Sequence, residues 1–495
     1  MKTAAVAFVL SMLCGTILTP FVRRLAHRYG ALDHAHSSRK IHGKPIPRLG
    51  GIAIVLAFYA PLVVLLLFQT EVGHMFVAER KHAIGLFVGG IAIALLGLYD
   101  DLRGANAWKK FAVQFAVAGL LYALEFRIDA IANPFGEPLA LGWLSLPFTL
   151  FWIVGVINAL NLIDGLDGLA GGVALVAVVT TFLVSIQRGH PLMMLFSSAL
   201  AGAIIGFLFY NFNPASIFMG DTGSMFLGFA LSATAIQTNQ KASTTVAVLI
   251  PAIALGLPIM DTLLAIGRRA LRGRPLFQAD KEHIHHRLMA RGLTHRQAVL
   301  VLYGLCTLLG AAALIMTYSS GGQATLLLLV VLALVAFVFL RSLGYMRFVS
   351  SAVERKRNRA LRGALRPLGR RLRQARSAQE MWPIVIEAGT VVGAVGVRLL
   401  SEVEVDGATK FTHGFGEADG ADAGATAPCV RFVVPGSKGA DRVLEFQWPD
   451  GRSEVDRDTE IAIDIFCEHL GDALESWILP AAVASQSVRS IKPRA

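Results

Sequence analysis

Apolar runs of roughly 16 to 23 residues, broken by short polar stretches, dominate the chain as far as Leu340. Each suits a helix crossing a hydrocarbon layer about 30 Å thick. The runs fall near 4–22, 50–68, 83–99, 111–126, 144–162, 170–187, 191–210, 224–238, 244–266, 297–317 and 323–341, and those at 111–126 and 224–238 are the shortest. The pattern predicts an α-helical, polytopic membrane protein of about eleven transmembrane helices over residues 1–341. Past Leu340 the periodicity changes. Residues 342–379, rich in Arg and Lys, read as a basic linker or an amphipathic helix on a lipid surface. Over 380–480, CVRFVV and RVLEFQW alternate like strands, PDG (Pro449–Gly451) suits a turn, and 458–477 has the spacing of an amphipathic helix. This predicts a small soluble α/β domain at the C-terminal end.

Composition agrees with the pattern. The chain has 495 residues, 54% hydrophobic and 16% charged, with a mean hydropathy of +0.57, which excludes an ordinary soluble globular protein. Basic residues follow the first apolar run (Arg23, Arg24, Arg28) instead of preceding it, so 1–22 reads as a retained span and not a signal peptide. Threading eleven spans alternately puts thirty Lys and Arg residues on one side and six on the other. The rich side is then cytoplasmic, with the N-terminus outside and the C-terminal domain inside a bacterial cytoplasmic membrane. The net charge of +12 comes largely from these same loops. Membrane lipids are the partner it implies, and nucleic acid is not. The four cysteines are scattered at no metal or redox spacing and receive no chemistry.

Charge changes the picture most where it meets the apolar runs. Carboxylates beside hydrocarbon are costly and normally face a functional site. Four polar clusters occur at run ends: LYDDL (Asp100, Asp101), NLIDGLDGLAGG (Asn161, Asp164, Asp167), MGDTGS (Asp221) and HIHH (His283, His285, His286). The predicted threading opens all four on the cytoplasmic face. Five carboxylates without a nearby Cys suit a hard divalent cation such as Mg²⁺, which completes its shell with water and phosphate oxygens. Zinc fits less well. GDTGS and DGLDGLAGG each place small residues at a predicted helix N-terminus, where free N–H groups favour phosphate. The loop Arg268–Leu288 adds Arg268 and Arg269, whose guanidinium forks suit phosphate oxygens. An ion-coupled transporter is the rival reading, but it would hold charge near the midplane with access from both sides. A membrane anchor for the C-terminal domain would leave the carboxylates unexplained.

Six motifs in order, RKIHGKPIPRLGG (Arg39–Gly51), LYDDL, NALNLIDGLDGLAGG, FMGDTGS, PIMDTLLAIGRRALRGRP and HIHH, resemble those of the polyprenyl-phosphate N-acetylhexosamine-1-phosphate transferases. The resemblance covers about residues 1–341. It implies Mg²⁺-dependent transfer (with Mn²⁺ as a substitute ion) of a sugar-1-phosphate from a UDP-N-acetylhexosamine to undecaprenyl phosphate, releasing UMP. Carried over by position, it gives catalytic work to Asp100, Asp101, Asp164 and Asp167. Asp221 becomes a metal ligand, with Asp101 as a second. Lys40, His42, Asn161, Arg268, Arg269, His283, His285 and His286 become substrate-binding residues. HIHH is similar to the branch that uses UDP-N-acetylglucosamine. In one departure, Asp33 stands six residues before Arg39 with no Pro between them. No catalytic cluster lies in the C-terminal domain, for which a regulatory or docking role with an unidentified partner is expected; monomer and homodimer both stay open.

Overall fold

A computed structural model describes the chain except for residues 34–45, 69, 132–138, 241–248, 272–282, 319–321, 346–350, 402–410, 416–428, 435–441, 453–454, 456–458, 461 and 475–495. Each apolar run is largely helical over its described residues. The helices are α1 (Lys2–Arg28), α2 (Gly50–Phe68), α3 (Thr70–Ala78), α4 (Arg80–Arg103), α5 (Ala107–Ala123), α6 (Ser145–Ile163) and α7 (Leu169–Arg188). They continue with α8 (Pro191–Asn211), α9 (Gly220–Gln240), α10 (Leu249–Ala254), α11 (Gly256–Leu271), α12 (Ile284–Met289), α13 (His295–Tyr318) and α14 (Gly322–Ser342). Two short antiparallel ribbons, β1 (Leu32–Asp33) with β2 (Ile46–Pro47) and β3 (Ala130–Ile131) with β4 (Leu139–Ala140), tie loops together.

Among the described residues, eight helices are long and apolar enough to cross a membrane: α1, α2, α4, α6, α7, α8, α13 and α14. The three other expected spans differ for physical reasons. Helix α5 has 17 residues and opens on a Trp-Lys-Lys run. Helix α9 packs against α2, α4, α6, α7 and α8, and its polar Ser232, Thr234, Gln237 and Thr238 are all buried. Shielded by neighbours, it needs no lipid-facing hydropathy; Thr238 pairs with Ser185 of α7 at 3.1 Å, and Gln237 Nε2 donates to the Glu125 carbonyl at 3.2 Å. The run at 244–266 breaks after α10. Pro258 has no N–H to offer the carbonyl of Ala254, so it sits in the first turn of a new helix, α11. By contrast α14 leaves Leu327, Val330, Leu334 and Val338 exposed, as lipid contact requires.

The centre of the bundle is aromatic. Phe58 and Tyr59 of α2, Phe196 of α8 and Phe226 of α9 meet at centroid distances of 4.7 to 5.8 Å. The buried Tyr59 hydroxyl donates to the Leu86 carbonyl at 2.7 Å, so the polar end of the ring is satisfied inside the core.

The chain divides into two units, one of Met1–Arg268 with Leu276–Arg347 and a second of Arg269–Pro275 with Phe348–Ala495. The second holds α15 (Ser351–Gln374), α16 (Ala378–Val391), β5 (Gly396–Ser401), β6 (Phe411–Phe415), β7 (Val430–Val434) and β8 (Arg442–Gln447), and residues 462–474 are helical. Its antiparallel sheet runs β6-β5-β8-β7. CVRFVV and RVLEFQW are its β7 and β8, and the chain turns where PDG suggested, with the Gly451 N–H donating to the Trp448 carbonyl at 3.1 Å. The sequence drew a boundary between a basic segment ending at 379 and a domain starting at 380. In the structure Leu365, Leu368 and Leu372 of α15 share a core with Val385, Val397, Phe446 and Phe466. The basic helix spends its apolar face inside the domain and is part of it.

Candidate active site

Helix α9 starts where α4 ends. Both carboxylate oxygens of Asp101, in the last turn of α4, accept from the first turn of α9: Asp221 N at 2.9 Å, Thr222 N at 2.9 Å and Thr222 Oγ1 at 2.6 Å. A carboxylate from another helix thus serves as the cap that α9 lacks in its own sequence, satisfying orphan donors and the positive end of the dipole. The approach is close enough that a Cβ on Gly97 would lie 2.5 Å from the Thr222 Cα. Two expectations change. The GDTGS N-terminus holds an internal anion instead of offering its N–H groups to phosphate. Asp101, with both oxygens engaged, serves α9, which counts against the metal role assigned to it. Arg48, outside the residues singled out by sequence, donates to the Asp101 carbonyl.

Beside this cap Lys110 of α5 bridges two carboxylates. Its Nζ lies 2.7 Å from Asp221 Oδ2 and also pairs with Asp100. Asp100 further accepts from Ala105 N at 2.5 Å, and Asn106 caps α5 by accepting from Lys109 N at 3.0 Å. Sequence reasoning missed Lys110 because a Lys at a span end reads as a lipid anchor. The available signal was its closeness to LYDDL, nine residues after Asp101.

The turn from α6 to α7 delivers the third cluster. Asn161 Oδ1 accepts from Ser224 Oγ at 2.7 Å, joining α6 to α9. Asp167 Oδ2 accepts from Asn213 Nδ2 at 2.9 Å and Ala215 N at 3.0 Å, so this carboxylate holds the loop between α8 and α9. Gly168 takes φ +78, as a non-glycine residue would resist; its N–H donates to Asn211 Oδ1 at 3.1 Å and its carbonyl accepts from Tyr303 Oη at 2.5 Å. Gly171 and Gly172, weighed as phosphate ligands, lie inside α7 and pack on Leu208 and Tyr303. Asp164, at the C-terminal cap of α6, has no hydrogen-bond partner among the described residues. Burial first, then the neighbouring Asp221, Asp101 and Asp167, push its pKa up to about 8.

The histidine cluster reaches the same turn. Asp261 of α11, also missed by sequence reasoning and 2% exposed, accepts from Ile284 N at 2.9 Å and pairs with His283 Nδ1 at 2.8 Å, capping α12. His285 stacks on His283 at 5.8 Å and approaches Gly165 so closely that a Cβ there would meet its Nε2 at 2.6 Å. Both His285 ring nitrogens are buried without a partner among the described residues. Burial and the adjacent His286, whose ring is 4.2 Å away, lower its pKa to about 3, so the imidazole is neutral. Arg268 and Arg287 both lie over the Tyr345 ring. Arg269, buried, is grouped with the second unit. Lys40 and His42 lie outside the described residues.

The structure thus gathers Asp100, Asp101, Asn161, Asp164, Asp221, His283, His285 and His286 at one end of the bundle. The donor set is hard oxygen, as Mg²⁺ prefers, and Lys110 shows that this site already holds positive charge. Among the described residues no three His, Cys, Asp or Glu side chains form a cage for an ion. A cation here would therefore lean on one or two carboxylates, Asp221 and Asp164 being the ones not committed to a cap or a loop, and on oxygens from outside the protein.

Residues 83–239 match the family model described as glycosyl transferase family 4. The chain is 40% identical over 312 residues to the "Probable undecaprenyl-phosphate N-acetylglucosaminyl 1-phosphate transferase" of Bacillus subtilis, covering 63% of this chain and 84% of that protein. It is 35% identical over 307 residues to the decaprenyl-phosphate N-acetylglucosaminephosphotransferase of Mycolicibacterium smegmatis, covering 58% and 75%. A phospho-N-acetylmuramoyl-pentapeptide-transferase of Listeria monocytogenes is 29% identical over 319 residues, 61% of this chain and 94% of that one. With motifs, fold and relatives in agreement, the chain belongs to glycosyl transferase family 4 and is a membrane enzyme of the polyprenyl-phosphate N-acetylhexosamine-1-phosphate transferases.

Proposed function

We propose that this enzyme transfers N-acetylglucosamine-1-phosphate from UDP-N-acetylglucosamine to undecaprenyl phosphate, releasing UMP, at the cytoplasmic face of a bacterial inner membrane. The observation that carries the reading is the convergence of Asp100, Lys110 and Asp221 with Asp164 and the HIHH helix at one end of the bundle. The greater identity to the two N-acetylglucosamine phosphate transferases than to the muramoyl-pentapeptide enzyme favours this sugar.

Phosphoryl transfer needs alignment and charge neutralisation more than covalent help. A lipid-phosphate oxygen attacks the donor's β-phosphorus, and the bond to the UMP oxygen breaks. Asp221 and Asp164 are the carboxylates to hold Mg²⁺, which would polarise the donor diphosphate when bound. Asp100, oriented by Lys110, accepts a proton from the lipid phosphate. Arg268 and Arg287 neutralise phosphate oxygens, and neutral His285 can both donate to and accept from a sugar hydroxyl. The test is UMP release by purified protein given undecaprenyl phosphate, Mg²⁺ and a panel of UDP-sugars. Release with UDP-N-acetylglucosamine, abolished by a chelator and about a thousandfold slower in Asp221→Asn, is the expected result. Folded protein that releases no UMP from any UDP-sugar would overturn the reading.

A further inference from the structure

Helix α14 ends in a tight C-terminal motif. Tyr345 N donates to the Leu340 carbonyl at 3.1 Å and Gly344 N to the Arg341 carbonyl at 3.0 Å, with Gly344 at φ +77. This geometry returns Tyr345 to the bundle, where it is 8% exposed and belongs to the apolar core of the membrane unit. Yet the ring is not merely packed. The Arg287 Cζ lies 4.0 Å and the Arg268 Cζ 5.2 Å from its centroid, both inside cation–π range. Arg287 Nη1 also donates to the Leu343 carbonyl at 3.2 Å, so the end of α14 grips this guanidinium twice. Arg287 stands two residues after His285 on α12, and Arg268 stands two turns after Asp261 on α11. One residue therefore ties three chain segments together, its ring against both guanidinium groups and its hydroxyl hydrogen-bonded to Arg268.

We propose that Tyr345 is a positioning residue, fixing the Arg268 and Arg287 guanidinium groups where they meet the diphosphate of the nucleotide-sugar donor. The proposal rests on the transferase reading above. Leu343, buried two residues earlier, already supplies apolar packing at the end of α14, whereas holding two guanidinium groups together needs an aromatic face. Burial pushes the Tyr345 phenol up to about 12, so the ring stays neutral throughout the working pH range.

The test uses the full-length protein in detergent with Mg²⁺, varying donor and lipid substrate separately. Tyr345→Leu should raise the donor KM about tenfold while leaving the lipid KM unchanged. Tyr345→Phe, which keeps the ring face and loses only the hydroxyl's hydrogen bond to Arg268, should raise the donor KM less than Tyr345→Leu does. A Leu variant with wild-type kinetics, or one in which both KM values and the melting temperature move together, would overturn the assignment. Should the Leu variant not fold, phenylalanines of increasing fluorine content at this position decide the matter, because each fluorine weakens the ring's attraction for cations. A donor KM rising stepwise with fluorination supports the proposal, and a flat series defeats it. Wild-type protein that releases no UMP from any UDP-sugar defeats the transferase reading itself, a result distinct from an active wild type with an indifferent Leu variant.

Discussion

Lys110 compensates Asp100 and Asp221 at once, and its removal separates two things the site does. Lys110→Met leaves more uncompensated negative charge, so the variant should reach half-maximal UMP release at lower Mg²⁺ than wild type. Its maximal rate should nonetheless fall about a hundredfold, because a fixed cation is lost where charge develops. Titrating Mg²⁺ against initial rate reads both, and an unchanged Mg²⁺ requirement would contradict the pairing. Asp164 offers a second measurement, on stability. Its pKa is raised from the ordinary 3.8 to about 8 in the folded protein, so between those values the folded state holds a proton that the unfolded state has released. Stability from this group is full below about 3.8 and is lost as pH rises towards about 8. In chelator, the melting temperature of wild type should therefore fall more steeply from pH 5 to pH 8 than that of Asp164→Asn. Parallel curves would show that Asp164 is not strained by its neighbours.

At the scale of elements, the apolar runs were legible because lipid selects length and hydropathy directly, and α1, α2, α7, α8 and α13 contain the runs that foretold them. Helix α9 was harder to read, since a helix wrapped by five others answers to packing and hydrogen bonds and not to lipid. The site's motifs were legible as residues but not as partners. That Asp101 caps α9, that Asp167 holds the loop at Asn213, and that Asp261 joins His283 all depend on contacts between positions 22 to 121 residues apart. Helix α15 is the clearest case of a role hidden from sequence. Its charge announced a membrane surface, while Leu365, Leu368 and Leu372 belong to the core of the second unit. A chain ended after residue 379 keeps that helix without its partners and should aggregate through the bared leucines. A chain ended after residue 350 removes α15 and all that follows it and keeps Tyr345; it should remain monodisperse and release UMP at near the wild-type rate. Size-exclusion profiles and initial rates of the two truncations check this, and equal behaviour would place α15 outside the domain's fold.

Across the whole molecule, the candidate site lies at the end of the bundle where α4 and α6 finish and where α5, α7 and α9 begin. The same end gathers the start of α2, whose Gly51 N–H donates to the Met219 carbonyl at 2.7 Å, and the start of α13, from which Arg296 donates to the Asn213 carbonyl at 3.1 Å. Chain ends of opposite direction therefore meet at one level, as a site at a single membrane face requires. The proposed cytoplasmic orientation rests on the charge of the sequence: an alternating threading of the eleven expected spans puts thirty Lys and Arg residues on one side and six on the other, and basic loops stay on the cytoplasmic side. On that proposed orientation a nucleotide-sugar made in the cytoplasm would reach the carboxylates without crossing the membrane. Single cysteines at Arg103 and Arg291, exposed near the site, should be protected from an impermeant thiol reagent in intact cells and become reactive once the membrane is opened. Cysteines at Leu139 and Gln323, exposed at the opposite end, should react in intact cells. Cys14, Cys306, Cys429 and Cys467, all free, are replaced first so that each label reports one position. Labelling of Arg103→Cys from outside would invert the orientation, and the substrate would then have to be delivered outside the cell, where the proposed donor is not made.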